Sequence, residues 1–489
     1  MKQLAQKPFF LSLLLAVVLW FVFDNFVVAA AAGLLAGFMV SMLHSLHVLK
    51  RKPEQAPINT PGAATQTGIE TLKTAAAVPE PDATQTASSI TTTLPQAAPT
   101  PSAHMPSSNL PQPDPVAQAH LDTVTRHLHH CIQAAPGGFL PFDQWMQHAL
   151  YAPGLGYYTA GSEKFGSSRT TGDFTTAPEL TPLFGQALAR QVAQVLREAG
   201  SNHVLEFGAG SGALAAALIP ALRTLGIEPV YQILDVSADL RERQQTRLAG
   251  LGANIEWVEQ LPHAFEGCVV ANEVLDAMPV TLFEWNQDGQ VMEIGVVNTN
   301  GFELARRPAS PRLQKTVSER MPPLPGYHSE LNLQAEAWVT GLGDWLHKGA
   351  ALLIDYGFPR HEYYHPQRAE GTLMCHYRHH AHADALLYPG LQDITAHIDF
   401  TAMADAALAG GMEVLGYTTQ ARFLINCGLA DLVSTVDLSD PVEHARAMGP
   451  VQKLLSEAEM GELFKVLAIG QGIDGPLTGF MQGDRRDRL

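Results

Sequence analysis

An α/β protein built on a parallel sheet is the fold class predicted for residues 120–489. Three observations predict it: short Val/Ile/Leu runs alternate with helical patterns, one run enters a glycine-rich turn that opens a helix, and the next run ends in Asp235. Strands are expected at 203–207, 230–235, 254–258, 267–271 and 350–355, with two more at 412–417 and 464–470. No internal repeat is evident.

The 119 residues ahead of this region differ in composition. Residues 9–49 carry one charge, Asp24, between Lys2 and Lys7 on one side and Lys50, Arg51 and Lys52 on the other. This reads as a membrane anchor over residues 1–52. A single helix through Asp24 would bury a carboxylate at a cost of about 2.5–3.5 kcal/mol, so a two-helix hairpin over 9–23 and 26–48 is expected, with both basic flanks on the cytoplasmic side of a bacterial inner membrane. A cleaved signal peptide ending near Ala29–Ala32 competes with this reading, and a mitochondrial transit peptide fits worse because the segment is apolar on every face. Residues 53–119 are Pro, Ala, Thr, Ser and Gln with no hydrophobic period, the composition of a disordered linker.

Lys plus Arg number 31 against 48 Asp plus Glu, a net charge of −17, which argues against a nucleic-acid partner. The four cysteines form no C-x-x-C pair, so neither a disulfide framework nor a structural zinc site is suggested and no metal is expected. Four histidines between Cys375 and His382 invite a metal reading, but without a standard ligand spacing a lid or partner-binding loop suits them better.

The sharpest motif is Val204-Leu205-Glu206-Phe207-Gly208-Ala209-Gly210-Ser211-Gly212, a buried strand entering a nucleotide-cofactor turn. Gly208, Gly210 and Gly212 permit close backbone approach, and amides at the helix start face a ligand's polar groups. Gly208, Gly210 and Ala213 also satisfy a loose dinucleotide pattern, so an NAD or FAD oxidoreductase is an alternative, as is an ordinary tight turn. Glu206 tilts the choice, because its carboxylate repels a pyrophosphate but attracts the ammonium of an amino-acid ligand, favouring S-adenosylmethionine. Asp235 suits two ribose hydroxyls, or caps the following helix together with Ser237 or Asp239. Asn272, Glu273 and Asp276 end the fourth strand at the mouth of the same cleft. Two carboxylates three residues apart suit a guanidinium held in a bidentate fork, the competing reading being a solvated helix cap.

The segment from about 139 to 470 resembles the MidA family of class I methyltransferases, related to a mitochondrial complex I assembly arginine methyltransferase. The resemblance rests on Tyr151-Ala152-Pro153-Gly154-Leu155-Gly156-Tyr157-Tyr158, Gly172-Asp173-Phe174-Thr175-Thr176-Ala177-Pro178-Glu179, the glycine turn and Asn272-Glu273. Asp355-Tyr356-Gly357, Gly371-Thr372-Leu373 and the run from Gln392 to Phe400 extend it. It implies a Rossmann-like sheet binding S-adenosyl-L-methionine, with added helical or lid segments expected near 285–345 and 358–400. It also implies symmetric dimethylation of arginine in a protein substrate such as a respiratory-complex subunit; a non-catalytic assembly chaperone on the same fold is the alternative. Carried over, Glu206, Gly208, Gly210, Asp235 and Asn272 would hold the cofactor, with Gly172 and Asp173 closing over it. Glu273 and Asp276 would face the substrate, while His397 and Asp399 would accept protons or position groups, a structural hydrogen bond being the equal alternative. Thr176 and Glu179 could touch ligand through the loop they share with Asp173, but Pro178-Glu179 is expected to start a helix instead. Oligomeric state is not legible.

Overall fold

The computed structural model describes residues 110–161, 176–434 and 441–489. Among the described residues no helix is long and apolar enough to cross a membrane. The transmembrane anchor expected at 1–52, its hairpin, and the inner-membrane localisation built on it are therefore not supported; that segment, and the expected linker as far as residue 109, lie outside the described residues. Chain order inside the folded part starts earlier than expected, with helix α1 (Pro115–Ala134), whose N-cap Asp114 accepts from the Val116 and Ala117 amides at 3.0 Å.

The remaining helices that shape the cleft are α2 (Phe142–Tyr151), α3 (Pro182–Ala199), α4 (Ala213–Thr224), α5 (Ala238–Leu248), α6 (Leu333–Leu342) and α7 (Phe400–Ala409). The main sheet comprises β1 (His203–Phe207), β2 (Val230–Leu234), β3 (Asn254–Val258), β4 (Phe265–Asn272), β5 (Leu346–Phe358), β6 (Glu413–Thr419) and β7 (Phe464–Gln471). Their order is β6-β7-β5-β4-β1-β2-β3, and a short strand, Ile398–Asp399, adds to the end of β5. All seven sit where hydrophobic runs predict them, within a few residues.

Alternate residues of these strands feed two cores. Val204, Cys268, Val270, Leu352, Ile354 and Val466 pack under α3 and α4, whereas Leu205, Val269, Ala271, Ala351, Leu353 and Leu467 pack under α6 and α7. Helices therefore cover both faces, which is why the strands read as unbroken apolar runs rather than alternating ones.

Two features depart from the sequence reading. The sheet is not wholly parallel, because β7 inserts antiparallel between β5 and β6, with Ile354 opposite Val466 and Tyr417 opposite Leu467. A strand buried on both faces shows the same apolar run whichever way it points. The insertion expected near 285–345 is largely an antiparallel sheet, in which Thr281–Trp285 pairs with Val291–Asn298 and His328–Leu331, and Phe302–Pro308 extends the edge. Asn286 and Gly289, at φ 70°, make its first hairpin turn.

The strand order switches at β1, which has β2 and β3 added on one side and β4, parallel to it, on the other, leaving a crevice beyond the carboxyl ends of β1 and β4, the position where open α/β sheets collect ligands.

Candidate active site

That crevice opens into a cleft of about 2150 Å³. Its floor is the glycine turn after β1. Gly208, Gly210 and Gly212 adopt φ of 60°, 53° and 81°, a region that costs an L-residue roughly 1–2 kcal/mol. The Gly208 amide donates to the Leu234 carbonyl at 3.0 Å, tying the turn to β2. A Cβ on Gly208 would crowd Val274 at 3.2 Å, whereas one on Gly210 would meet no protein atom within 4 Å and would project into open space. The turn thus leaves room for a ligand against its backbone.

Glu206 is 3% exposed, and its Oε2 accepts from the Tyr231 hydroxyl at 2.7 Å. Burial pushes its carboxyl up to about 7, against the lowering effect of that hydroxyl and with a further push from Asp235. A cationic ligand would reverse this.

Asp235 follows β2 and is held at both oxygens, Oδ1 accepting from the Ser237 amide at 3.0 Å and Oδ2 from Gln244 Nε2 at 2.8 Å. Burial raises its pKa, opposed by those donors. Ser237, not Asp235, caps α5, accepting from the Leu240 amide at 3.3 Å. Gln244 is fully buried; its Nε2 also reaches the Gly210 carbonyl at 2.9 Å, and its Oε1 accepts from Trp257 Nε1 at 2.9 Å. One amide therefore locks the glycine turn to the acidic residue. The only hint in the sequence is that Gln244 shares a four-residue spacing with Leu240 and Leu248, the stripe facing inward. Gln244→Leu, nearly the same size, is expected to weaken cofactor binding about 5–30-fold, for about 1–2 kcal/mol, measured by isothermal titration calorimetry.

The third element is the turn after β4. Glu273 has φ 53°, uncommon for a residue with a side chain and costing about 1–3 kcal/mol. Three anchors hold it: the Glu273 amide donates to the Ile354 carbonyl at 2.9 Å, and Asp355 Oδ2 accepts from the Leu275 and Asp276 amides at 3.0 and 3.2 Å. Asn272 Nδ2 donates to Glu273 Oε1 at 3.0 Å, and the Tyr356 hydroxyl donates to Asp276 Oδ2. Burial, then the neighbouring Asp276, pushes Glu273 up to about 8. Asp276 and Asp355 are raised as well, burial being the main cause. Asn272 Oδ1 and Asp276 Oδ1 are buried without a hydrogen-bond partner among the described residues, two acceptors available to a ligand.

Tyr151 and Tyr158 stack at 5.4 Å along the cleft wall. Their hydroxyls donate to the Ala277 carbonyl at 3.0 Å and to Asp393 Oδ1 at 2.8 Å. Glu206, Asp235, Glu273, Asp276 and Asp393 all line the space, so it favours cations.

Glu206, Gly208, Gly210, Asp235, Asn272, Glu273 and Asp276 thus come together around one cleft, with Gly212 at the start of α4 behind it. Gly172 and Asp173 lie outside the described residues. His397 and Asp399 are not among the residues lining the cleft, and the contacts each makes are those of the structural alternative. Asp399 caps α7 through the Ala402 amide at 3.1 Å and pairs with Arg360 at 3.2 Å. His397 packs on Tyr356 and Phe358, and burial, with Arg368 and Lys465, pushes it down to about 3. Glu179 stands in the short helix Ala177–Leu180, as expected for a helix start, but it also borders the cleft and pairs with Arg247 at 2.9 Å. The histidine-rich segment is a hairpin, Met374–Tyr377 against His380–His382, turning at Arg378 and His379 with φ 49° and 66°. Arg378 ties it to Asp114 at 2.7 Å.

Comparison with known proteins agrees with this geometry. Residues 187–418 match the Methyltransf_28 family of S-adenosyl-L-methionine-dependent methyltransferases. A crystal structure from Burkholderia thailandensis bound to S-adenosyl-homocysteine is 49% identical, covering 78% of this chain and 100% of its own at a TM-score of 0.73. The chain belongs to this MidA-like family of class I methyltransferases, and it is an S-adenosyl-L-methionine-dependent enzyme. Protein arginine methyltransferase NDUFAF7, mitochondrial, of Danio rerio is 27% identical over 391 residues, 71% of this chain and 86% of the relative. The Drosophila melanogaster homologue of that enzyme is 28% identical over 373 residues, 69% and 82% of the two chains.

Proposed function

We propose that the protein methylates an arginine side chain of a protein substrate. The observation that carries this reading is the pair Glu273 and Asp276, buried carboxylates at the mouth of the cleft beyond the glycine turn. The names of the relatives from zebrafish and fruit fly support the substrate class.

Bound S-adenosyl-L-methionine supplies an electrophilic methyl group on a sulfonium. Glu206 would pair with the ligand's ammonium, and Asp235, fixed by Ser237 and Gln244, would accept hydrogen bonds from the ribose hydroxyls. Asn272 offers its free Oδ1 from the neighbouring strand end. Glu273 and Asp276 would grip the guanidinium, orienting one nitrogen for displacement. Glu273, pushed up to about 8 in the free protein, would give up its proton to solvent when the guanidinium cation docks beside it, and the carboxylate so formed would accept the proton that the nitrogen sheds as it gains the methyl group. Tyr356 fixes Asp276, and the stacked Tyr151 and Tyr158 form part of the cleft wall.

The Glu206 assignment carries a pH test. With its carboxyl pushed up to about 7, Glu206 is mainly protonated below that value in the free protein and must lose its proton to pair with an ammonium. Cofactor affinity is expected to rise from pH 6 to pH 8, with protons released on binding in calorimetry. Glu206→Gln removes the release and lowers the plateau; a variant that keeps the same pH profile would assign it to another group.

The substrate reading is tested by incubating the protein with methyl-labelled cofactor and the proteins of a strain deleted for this gene, followed by acid hydrolysis and amino-acid analysis. Label is expected in methylated arginine, symmetric dimethylarginine being the finer expectation and a respiratory-complex subunit the first candidate carrier. Label recovered only in another amino acid or in small molecules overturns the arginine reading and leaves the methyltransferase class intact.

A further inference from the structure

Away from the cleft, α1 and α2 turn three donor side chains toward one another. His127 and Cys131 stand four apart on α1, hence on one face, and His148 comes from the last turn of α2. His127 Nε2 lies 3.2 Å from His148 Nδ1 and 3.6 Å from Cys131 Sγ. One donor atom from each residue falls within 4.8 Å of the other two. None of the three lines the cleft.

The two edges at His127 match those of a metal polyhedron, and the third, between His148 and Cys131, lies within 4.8 Å. Tetrahedral zinc, with Zn–N about 2.05 Å and Zn–S about 2.3 Å, sets N···N edges of about 3.3 Å and N···S edges of about 3.6 Å. Two imidazoles and a thiolate form a borderline-soft set that suits zinc and disfavours magnesium or calcium. All three residues are half-buried, so the cluster is in reach of solvent, which would supply the fourth ligand.

We propose that His127, Cys131 and His148 bind one zinc ion that clamps α1 to α2. On binding, the Cys131 thiol gives its proton to solvent and both imidazoles coordinate as neutral bases. The clamp bears on the methyl-transfer cleft, because Ala117 of α1 and Gln147, next to His148, belong to its wall. Ala117 also packs on Tyr377 and Leu391 of that wall. A cysteine-spacing rule passes over this site, since its ligands come from one helical turn and a second helix rather than from a paired-cysteine loop.

The test uses the full chain, stripped with a chelator and titrated with zinc chloride and, separately, with cobalt(II) chloride. The wild type is expected to bind one zinc tightly and to give a cobalt spectrum with tetrahedral intensity and a thiolate-to-cobalt charge-transfer band. That band is diagnostic because the other three cysteines are buried. Cys131→Ser is expected to lose the band, to weaken zinc at least 100-fold and to abolish the zinc-induced rise in melting temperature, while retaining S-adenosyl-L-methionine binding as the check on its fold. His148→Ala should weaken zinc similarly. A wild-type cobalt complex without the thiolate band overturns the proposal without recourse to any variant, and so does equal zinc affinity in wild type and Cys131→Ser.

Discussion

Replacing Glu273 with Gln is expected to lower methyl transfer by about 10²–10⁴-fold while leaving cofactor affinity within about threefold of wild type. The substitution is narrow. Gln keeps the side-chain oxygen that accepts from Asn272, and the backbone at φ 53° is held by Ile354 and Asp355 rather than by the side chain. What disappears, on the proposed function, is the negative charge that would grip a guanidinium and the base that would receive its proton. Stability should move the other way. The Glu273 carboxyl is pushed up to about 8 in the folded protein against an ordinary value of 4.5, so its stabilising contribution is complete below about 4.5 and is lost as pH rises towards 8. Gln escapes that loss. Without cofactor, Glu273→Gln should come close to wild type at pH 5 and exceed it by about 3–4 kcal/mol at pH 8, a rise of several degrees in melting temperature by calorimetry. Retained turnover in a well-folded Glu273→Gln variant would remove Glu273 from the reaction. A variant less stable than wild type at pH 8 would assign the residue to holding the turn.

That an assignment of this detail starts from sequence reflects where the information sits. A strand buried on both faces must be an apolar run, and a backbone that passes through positive φ three times in five residues must use glycine, so β1 and Gly208, Gly210 and Gly212 are legible from local pattern alone. Asp235 and Asn272-Glu273 are legible because ligand groups gather at strand ends. The direction of β7 is not written locally, nor is the register that opposes Ile354 to Val466. Gln244 is one glutamine of an adjacent pair in a polar helix, and only the approach of Gly210, Asp235 and Trp257 makes it a tether. Asp355 drew notice as part of a family motif, but its work, accepting two amides of a turn some 80 residues earlier, exists only once β4 and β5 are neighbours. His397 and Asp399 show the converse. Their residue types suit proton transfer, yet one is packed among aromatic rings and the other caps a helix. The apolar stretch near the N-terminus is a warning of another kind, since hydropathy supplied an anchor and an address that no described helix supports.

On the cofactor-binding role proposed for Asp235, Asp235→Ala is expected to weaken S-adenosyl-L-methionine about 30–1000-fold, equivalent to about 2–4 kcal/mol, because it would remove a charged acceptor for two ribose hydroxyls. The competing role for a carboxylate at this strand end is helix capping, and the two roles predict opposite patterns. Capping of α5 is already performed by Ser237 through the Leu240 amide, so loss of Asp235 leaves that cap in place and costs little thermal stability without ligand. Asp235 does accept from the Ser237 amide and from Gln244, and both donors lose a partner in the variant. Gln244 retains Gly210 and Trp257, and the Ser237 amide is left facing the hydrated cleft, so the penalty stays near or below about 1 kcal/mol. Affinity should therefore collapse while the melting temperature of the unliganded protein shifts by only a few degrees. S-adenosyl-homocysteine, which keeps the ribose but lacks the sulfonium charge, should lose the same factor. A large fall in melting temperature with affinity unchanged would make Asp235 a structural residue. Equal losses for Asp235→Ala and Gln244→Leu, absent further loss in the double variant, would show that the amide acts wholly through the carboxylate it positions.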